Sequence, residues 1–205
     1  MKKLFIGVLA TISIIAYSCG DSASTTTPKE EKAPEAAHAA TEESAEIKEV
    51  KASFTNVDAA VASQISSITD NYLQIKNALT NGKAAEAGDA ANKMQAAMKT
   101  LDKSLLSADQ KKAYDQQEES LKTNAALISK NTGNLEQQRE QFAALSESLY
   151  ALVKGFGGGK TLYHDHCPMA KDGKGAMWLS ETKEIKNPYF GDKMMECGEV
   201  NEIIR

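Results

Sequence analysis

Apolar residues recur at intervals of three and four positions over much of this chain, and that spacing constrains the fold more than any other feature. The first run comprises Val57, Val61, Ile65, Ile68, Tyr72, Ile75 and Leu79. These positions fall on one stripe of an α-helix. Three similar runs follow within residues 87–105, 114–128 and 135–152, so the sequence predicts four amphipathic helices.

Turn and capping residues separate the four runs. Asn81-Gly82 supplies a left-handed stop, Ser107–Gln110 fits a capping box, and Asn131–Gly133 interrupts the third run. Because the connections are short, consecutive helices are expected to run in opposite directions. The pattern therefore predicts an antiparallel four-helix bundle over residues 56–155.

The N-terminus has the pattern of a targeting segment. Residues 1–18 indicate a signal peptide, because Lys2 and Lys3 precede an apolar stretch that is too short to span a bilayer. Small residues then lead to Cys19, as in a bacterial lipobox, which directs cleavage before the cysteine and lipidation of its thiol. A plain secretory signal is the alternative. We expect a lipoprotein of the cell envelope, attached to the membrane only through its lipid and facing the periplasm.

Residues 19–55 are predicted to form a disordered, lipid-anchored linker, since they are poor in large apolar side chains and rich in Ala, Glu, Thr and Pro. The chain carries a net charge of -4, and removal of the basic signal peptide makes it more acidic. Nucleic-acid binding requires a basic face, so this charge argues against it.

Helical periodicity ends near residue 155, where a glycine-rich segment is predicted to act as a hinge before a small module at 156–205. The stretches KTLYHDHCPM and GAMWLS are each predicted as a short strand, with AKDGKG as the turn between them. The following NPYFGDKMMECGEV is too rich in turn residues to be helical throughout. The expected fold is mainly α, with a small irregular or β module at its C-terminus.

This module collects soft metal donors. They are His164, His166, Cys167, Met169, Met177, Met194, Met195 and Cys197. Thiolates and thioethers select Cu(I) or a similar ion such as Ag(I), and imidazole also suits zinc. Zinc is the weaker candidate because paired half-sites are missing. Alternation along a strand places the two histidines on one side and Cys167 on the other, unless the chain turns at Pro168.

Two further interpretations of the cluster stay open. A Cys167–Cys197 disulfide would close a loop of about thirty residues and stabilise the module by roughly 3–4 kcal/mol. In that case the methionines and Trp178 form a small core, whereas beside a metal Trp178 and Met177 could cap the cation. Nucleophilic catalysis by Cys167 lacks an oriented base, so no enzyme is predicted.

Several short motifs of the chain resemble those of a known family. Matching positions include Cys167-Pro168-Met169, Gly175-Ala176, Trp178-Leu179, Asn187–Gly191, Met194 and Cys197-Gly198, preceded by QREQFAALSESLYALVKGFG. This pattern is similar to the DUF3347 domain family, and the resemblance extends from Val57 to the C-terminus, so residues 56–205 are expected to form one domain. The family occurs as short lipoproteins and at the end of CusB-type heavy-metal efflux adaptor proteins.

The resemblance implies handling of copper or a related soft metal in the periplasm. It transfers Cys167, Met169, Met194 and Cys197 as matched positions, whereas His164 and His166 are candidates on chemical grounds alone. The implied partner is a heavy-metal efflux adaptor or an RND-type efflux complex.

Overall fold

The computed structural model describes residues 47–205, so the predicted signal peptide, Cys19 and most of the predicted linker lie outside the described residues. Four long helices follow one another: α1 at Ala59–Thr80, α2 at Ala84–Lys99, α3 at Ala108–Lys130 and α4 at Leu135–Phe156. Each coincides with one of the four apolar runs. The predicted class, mainly helical with a small C-terminal β module, is confirmed for this part of the chain.

Side-chain caps explain where three of these helices begin. Asp58 accepts from the backbone N–H of Ala60 at the start of α1, and Asn134 caps α4 in the same manner. The capping box predicted for α3 is present, with Ser107 and Gln110 each bonded to the other's backbone N–H. Helix α1 contacts α2 and α4, and α3 contacts α2 and α4.

A four-stranded sheet packs against the helices. Its strands are β1 at Lys48–Val50, β2 at Leu162–Cys167, β3 at Ala176–Ser180 and β4 at Glu199–Ile204, in the order β1-β4-β2-β3. Strand β2 is antiparallel to both neighbours, and β1 is parallel to β4. Strands β2 and β3 confirm the two predicted strands, whereas β1 and β4 were not predicted.

The end of the predicted linker belongs to the folded domain, so the predicted boundary at residue 55 is wrong. Strand β1 lies within the predicted linker and pairs with β4. The backbone N–H groups of Ser53 and Phe54 then donate to the carbonyls of Lys154 and Gly155, at 3.0 and 2.9 Å. A three-residue edge strand of sequence KEV has almost no apolar pattern, which is why composition alone assigned it to the linker.

The glycine-rich segment after α4 is tightly packed, which corrects its prediction as a flexible hinge. A Cβ on Gly158 would lie 2.5 Å from Cδ1 of Leu162, and one on Gly159 would lie 2.4 Å from Oγ of Ser66. Gly159 also has a φ of 74°. These glycines therefore allow β2 to approach α1 closely. Buried residues of the helices and of the sheet form one continuous hydrophobic core.

Within residues 47–205, none of the helices combines the length and the apolar character that crossing a membrane would require.

Substitution of Gly159 tests whether this segment is packed or free. Gly159→Ala should destabilise the fold by about 1–3 kcal/mol, because the new methyl meets Ser66 and the left-handed backbone is strained. Gly133→Ala is the matched control, since a Cβ there meets nothing within 4 Å. Chemical denaturation measures both variants, and equal stability of the two would contradict the packed arrangement.

Candidate metal centre

Strand β2 distributes the predicted donors over its two faces. His164 pairs with Leu179, His166 with Met177, and Cys167 with Ala176. Directly paired residues share a face, and successive residues of a strand alternate between faces. The two histidines therefore lie on the face opposite Cys167, as the alternation predicted.

His164 has neighbours of its own on that face. Its ring stacks on Tyr150 of α4, with centroids 4.3 Å apart and an interplanar angle of 17°. Burial lowers the pKa of His164, although the negative charge of nearby Glu202 acts to raise it. His166 packs beside Gly175, where a Cβ would lie 2.6 Å from its Nε2. The structure therefore separates both imidazoles from the thiol of Cys167.

The two cysteines of the module, in contrast, are brought together. Cys167 is fully buried at the end of β2, Cys197 is half-buried just before β4, and both are free thiols. The neighbouring Cys167 thiol raises the pKa of the Cys197 thiol through a hydrogen-bonding contact, while the backbone N–H of Met169 lowers it. The two thiols, about thirty positions apart in the chain, are thus close enough for one to influence the protonation of the other.

Asn187 holds the loop that carries Cys197. Its fully buried side chain donates from Nδ2 to the carbonyl of Cys197 at 2.7 Å, and its backbone N–H donates to Met195 O at 2.8 Å. Its Oδ1 also accepts from the N–H groups of Tyr189 and Phe190, at 2.8 and 3.1 Å. In the sequence, Asn187 stood out only as a family-matched position, and an Asn-Pro turn signal was its one local indication.

Arg139 of α4 fastens the same loop to the helices. Its Nε donates to Pro188 O at 2.8 Å and its Nη2 donates to Leu79 O at 3.0 Å. Gly191 packs against this guanidinium, since a Cβ there would lie 2.9 Å from Nη2. In the sequence, Arg139 lay within the family-matched QREQ stretch but was not singled out, because it is one charged residue among many on an amphipathic helix.

The methionines of the module differ in exposure. Met169 is 54% exposed, whereas Met177, Met194 and Met195 are half-buried. Met194 is tied to the cysteine loop because its carbonyl accepts from the backbone N–H of Cys197 at 3.2 Å.

Trp178 is fully buried and lies in the hydrophobic core. Its ring centroid is 6.0 Å from that of Tyr189, in an edge-on arrangement. The hydroxyl of Tyr189 in turn donates to the carbonyl of Met177 at 2.5 Å. These contacts agree with the interpretation of Trp178 as a core residue.

Residues 47–205 contain no group of three or more His, Cys, Asp or Glu side chains arranged to hold a metal ion. A tetrahedral zinc site of four such ligands is therefore absent from this part of the chain. What the geometry offers is a pair of adjacent thiols with thioethers in the flanking turns. Such a donor set suits a soft monovalent ion, which accepts few ligands and prefers sulfur.

A second feature of the module is the buried carboxyl of Asp165. Burial raises the pKa of Asp165 to about 8, although the positive charge of Lys76 acts to lower it. The indole N–H of Trp178 lies near enough to lower this pKa in part, but within the described residues neither oxygen of Asp165 forms a hydrogen bond of good geometry. Lys76 is itself only 1% exposed and forms an ion pair with Glu181 at 2.8 Å.

Comparison with known protein families gives one match, which covers most of the helical part of the chain. A family model, DUF3347, described as a protein of unknown function, matches residues 68–161. Over these residues the match agrees with the resemblance to DUF3347 predicted from the sequence. The match begins within α1 and ends just before β2, so Cys167 and Cys197 lie outside it. No curated protein and no solved structure matches the chain.

The buried carboxyl of Asp165 predicts a pH dependence of stability. Its pKa is about 8 in the folded protein against an ordinary 3.8, so between these values only the folded state retains the proton. Stability should therefore fall as the pH rises from about 4 to about 8. Asp165→Asn should remove this contribution and make the protein more stable than wild type at pH 8.

Thermal unfolding across this pH range measures the effect. Asp89→Asn, at an exposed position of α2, is the control and should retain the wild-type profile. An Asp165→Asn profile parallel to that of wild type would contradict the assignment.

Proposed function

We propose that this protein is a periplasmic lipoprotein that binds a soft metal ion, Cu(I) or Ag(I), as an accessory or chaperone to heavy-metal efflux. The observation that carries the proposal is the adjacency of the free thiols of Cys167 and Cys197. Zinc is disfavoured because the described residues offer no set of three or four hard or borderline ligands. No enzymatic activity is part of the proposal.

The chemistry of binding follows from the donors. Both thiols must lose their protons to water when a metal binds, because the thiolate is the ligand. The N–H of Met169 beside the Cys197 sulfur stabilises the negative charge that then develops. Met169 and Met194, in the turns on either side, can add neutral thioether donors. His164 and His166 are assigned no part in the site, since they occupy the opposite face of β2.

The rest of the chain has a supporting role in this proposal. Helices α1–α4 would form an antiparallel four-helix bundle, against which the sheet and the cysteine loop are fixed. The pattern at residues 1–19 supports export and lipid anchoring at the cell envelope, and the linker would hold the domain away from the membrane. An efflux adaptor or RND-type complex as the partner is suggested by the family resemblance alone.

Titration with Cu(I) under anaerobic conditions, against a competing chelator, tests the proposal. Cys167→Ser and Cys197→Ser should each weaken binding by about 100-fold or more, since each removes one of two thiolates. His166→Gln is the matched control, one residue from Cys167 but on the other face, and it should bind as wild type does. Wild-type affinity in both serine variants would show that the thiol pair is not the site.

The same adjacency also favours a second candidate function. Two neighbouring thiols in an oxidising compartment can form a disulfide, and the protein would then be an interaction module of an efflux complex that binds no metal. Mass measurement of protein from the periplasm, with and without thiol alkylation, separates the two functions. Two alkylated thiols, or retained metal, support metal binding, whereas an intact Cys167–Cys197 bridge without metal supports the interaction module.

A further inference from the structure

A cleft of about 590 Å³ lies between α4 and the two loops that flank β3, and cationic side chains from all three elements line it. Arg139 belongs to α4, Lys171 and Lys174 to the turn before β3, and Lys193 to the loop after it. Four positive charges therefore meet at one place in a chain whose net charge is -4.

Three carboxylates line the same cleft, so its charge is mixed. Glu136 and Glu140 belong to α4, and Asp172 lies in the turn before β3. Within residues 47–205, none of the cationic or acidic side chains of the cleft forms an ion pair at 4 Å or less. The lysines are exposed and remain available to a charged ligand.

Arg139 is the least exposed of the four cationic residues. Its Nε and Nη2 donate to main-chain carbonyls, which carry no net charge. Its Nη1 has no hydrogen-bond partner in the described part of the chain and is not fully buried. Burial lowers the pKa of Arg139, although the negative charge of Asp192 acts to raise it. A partly buried cation without a carboxylate partner is stabilised by an anion that approaches from solvent.

The turn that carries Lys171 and Lys174 has a strained backbone. Lys171 and Asp172 both adopt the left-handed helical conformation, with φ of 53° and 57° and ψ of 51° and 40°. This conformation is unfavourable for a residue with a Cβ. A hydrogen bond from the N–H of Gly175 to Ala170 O, at 2.9 Å, closes the turn. Such strain is concentrated at binding sites, and here it fixes the backbone from which two lysines extend into the cleft.

Apolar side chains lie among these charges. Met169, Tyr189 and Phe190 line the cleft, and Met169 is 54% exposed. Aromatic, methionine and arginine side chains are enriched at the centres of protein interfaces, which have a polar rim. A small inorganic anion would make no use of the apolar groups and would be repelled by the three carboxylates. The mixture fits a peptide that presents both a carboxylate and a large apolar side chain.

We propose that this cleft is a docking site for a segment of a partner protein in which acidic residues flank a large apolar one. The carboxylates of the segment pair with Nη1 of Arg139 and with the lysines. Its apolar side chain packs on Met169 and Phe190. Neither cysteine lines the cleft, so the docking site does not depend on the metal-binding function proposed above.

Fluorescence anisotropy of labelled peptides with the full-length, metal-free protein tests the docking site. The probe peptide has a central phenylalanine with two glutamates on either side. One matched peptide replaces the phenylalanine by serine, and the other replaces the glutamates by lysines. The probe should bind saturably and each matched peptide about tenfold more weakly, because each lacks either the apolar burial or the charge pairing. Added salt should weaken binding of the probe.

Lysine variants establish where the probe binds. Lys171→Gln, Lys174→Gln and Lys193→Gln change exposed side chains and should leave the fold intact. Each should weaken binding of the probe by about threefold, and their combination by about tenfold or more, because each removes one solvent-screened ion pair. Lys99→Gln, at an exposed position of α2 outside the cleft, is the matched control and should bind as wild type does.

Several results would overturn the docking site. Absence of saturable binding would show that the cleft does not take such a segment, and wild-type affinity in the combined lysine variant would show that the probe binds elsewhere. Equal binding of either matched peptide would show that the wrong chemical class was assigned. Sedimentation of the free protein adds one further outcome, because a dimer that the combined variant abolishes would assign the cleft to a second copy of the chain.

Discussion

The position of Cys197 depends on one buried amide. Asn187 donates to the carbonyl of Cys197 and accepts from two backbone N–H groups of its own turn, so a loop with little regular structure has a fixed shape. Burying an amide costs free energy unless its polar atoms are hydrogen-bonded. Both the oxygen and the nitrogen of the Asn187 amide are hydrogen-bonded here. Arg139 then ties the loop to α1 and α4. Together with the pairing of β4 to β2, this chain of bonds holds Cys197 near the end of β2.

The helices matter to the site because the sheet has no independent core. The N–H of Leu179 in β3 donates to the hydroxyl of Tyr72 of α1 at 3.0 Å, and that hydroxyl also shares a hydrogen bond with Ser146 of α4 at 2.7 Å. The segment before α1 adds β1 to the other edge of the sheet. The folded unit therefore includes residues on both sides of the helices, and the proposed thiol pair lies within a fold that α1 and α4 determine.

The sequence predicted those elements whose signal is local. The helices could be predicted because apolar residues recur at a helical period over several turns. The capping box at Ser107 could be predicted because it is a pattern of only four residues. Strands β1 and β4 escaped prediction because they are short, mixed in polarity and paired across more than 150 positions. Strand alternation predicted that His164 and Cys167 lie on opposite faces. The approach of Cys197 to Cys167 could not be predicted in this way, because it depends on the loop that Asn187 holds.

Coordination by sulfur alone is the property that most distinguishes the proposed site from one that uses the nearby histidines. X-ray absorption at the copper edge of the Cu(I)-loaded protein measures it most directly, because the spectrum identifies the elements bonded to the metal. We expect a first shell composed only of sulfur, since both imidazoles lie on the opposite face of β2 from Cys167. Nitrogen or oxygen in that shell would contradict the proposed site.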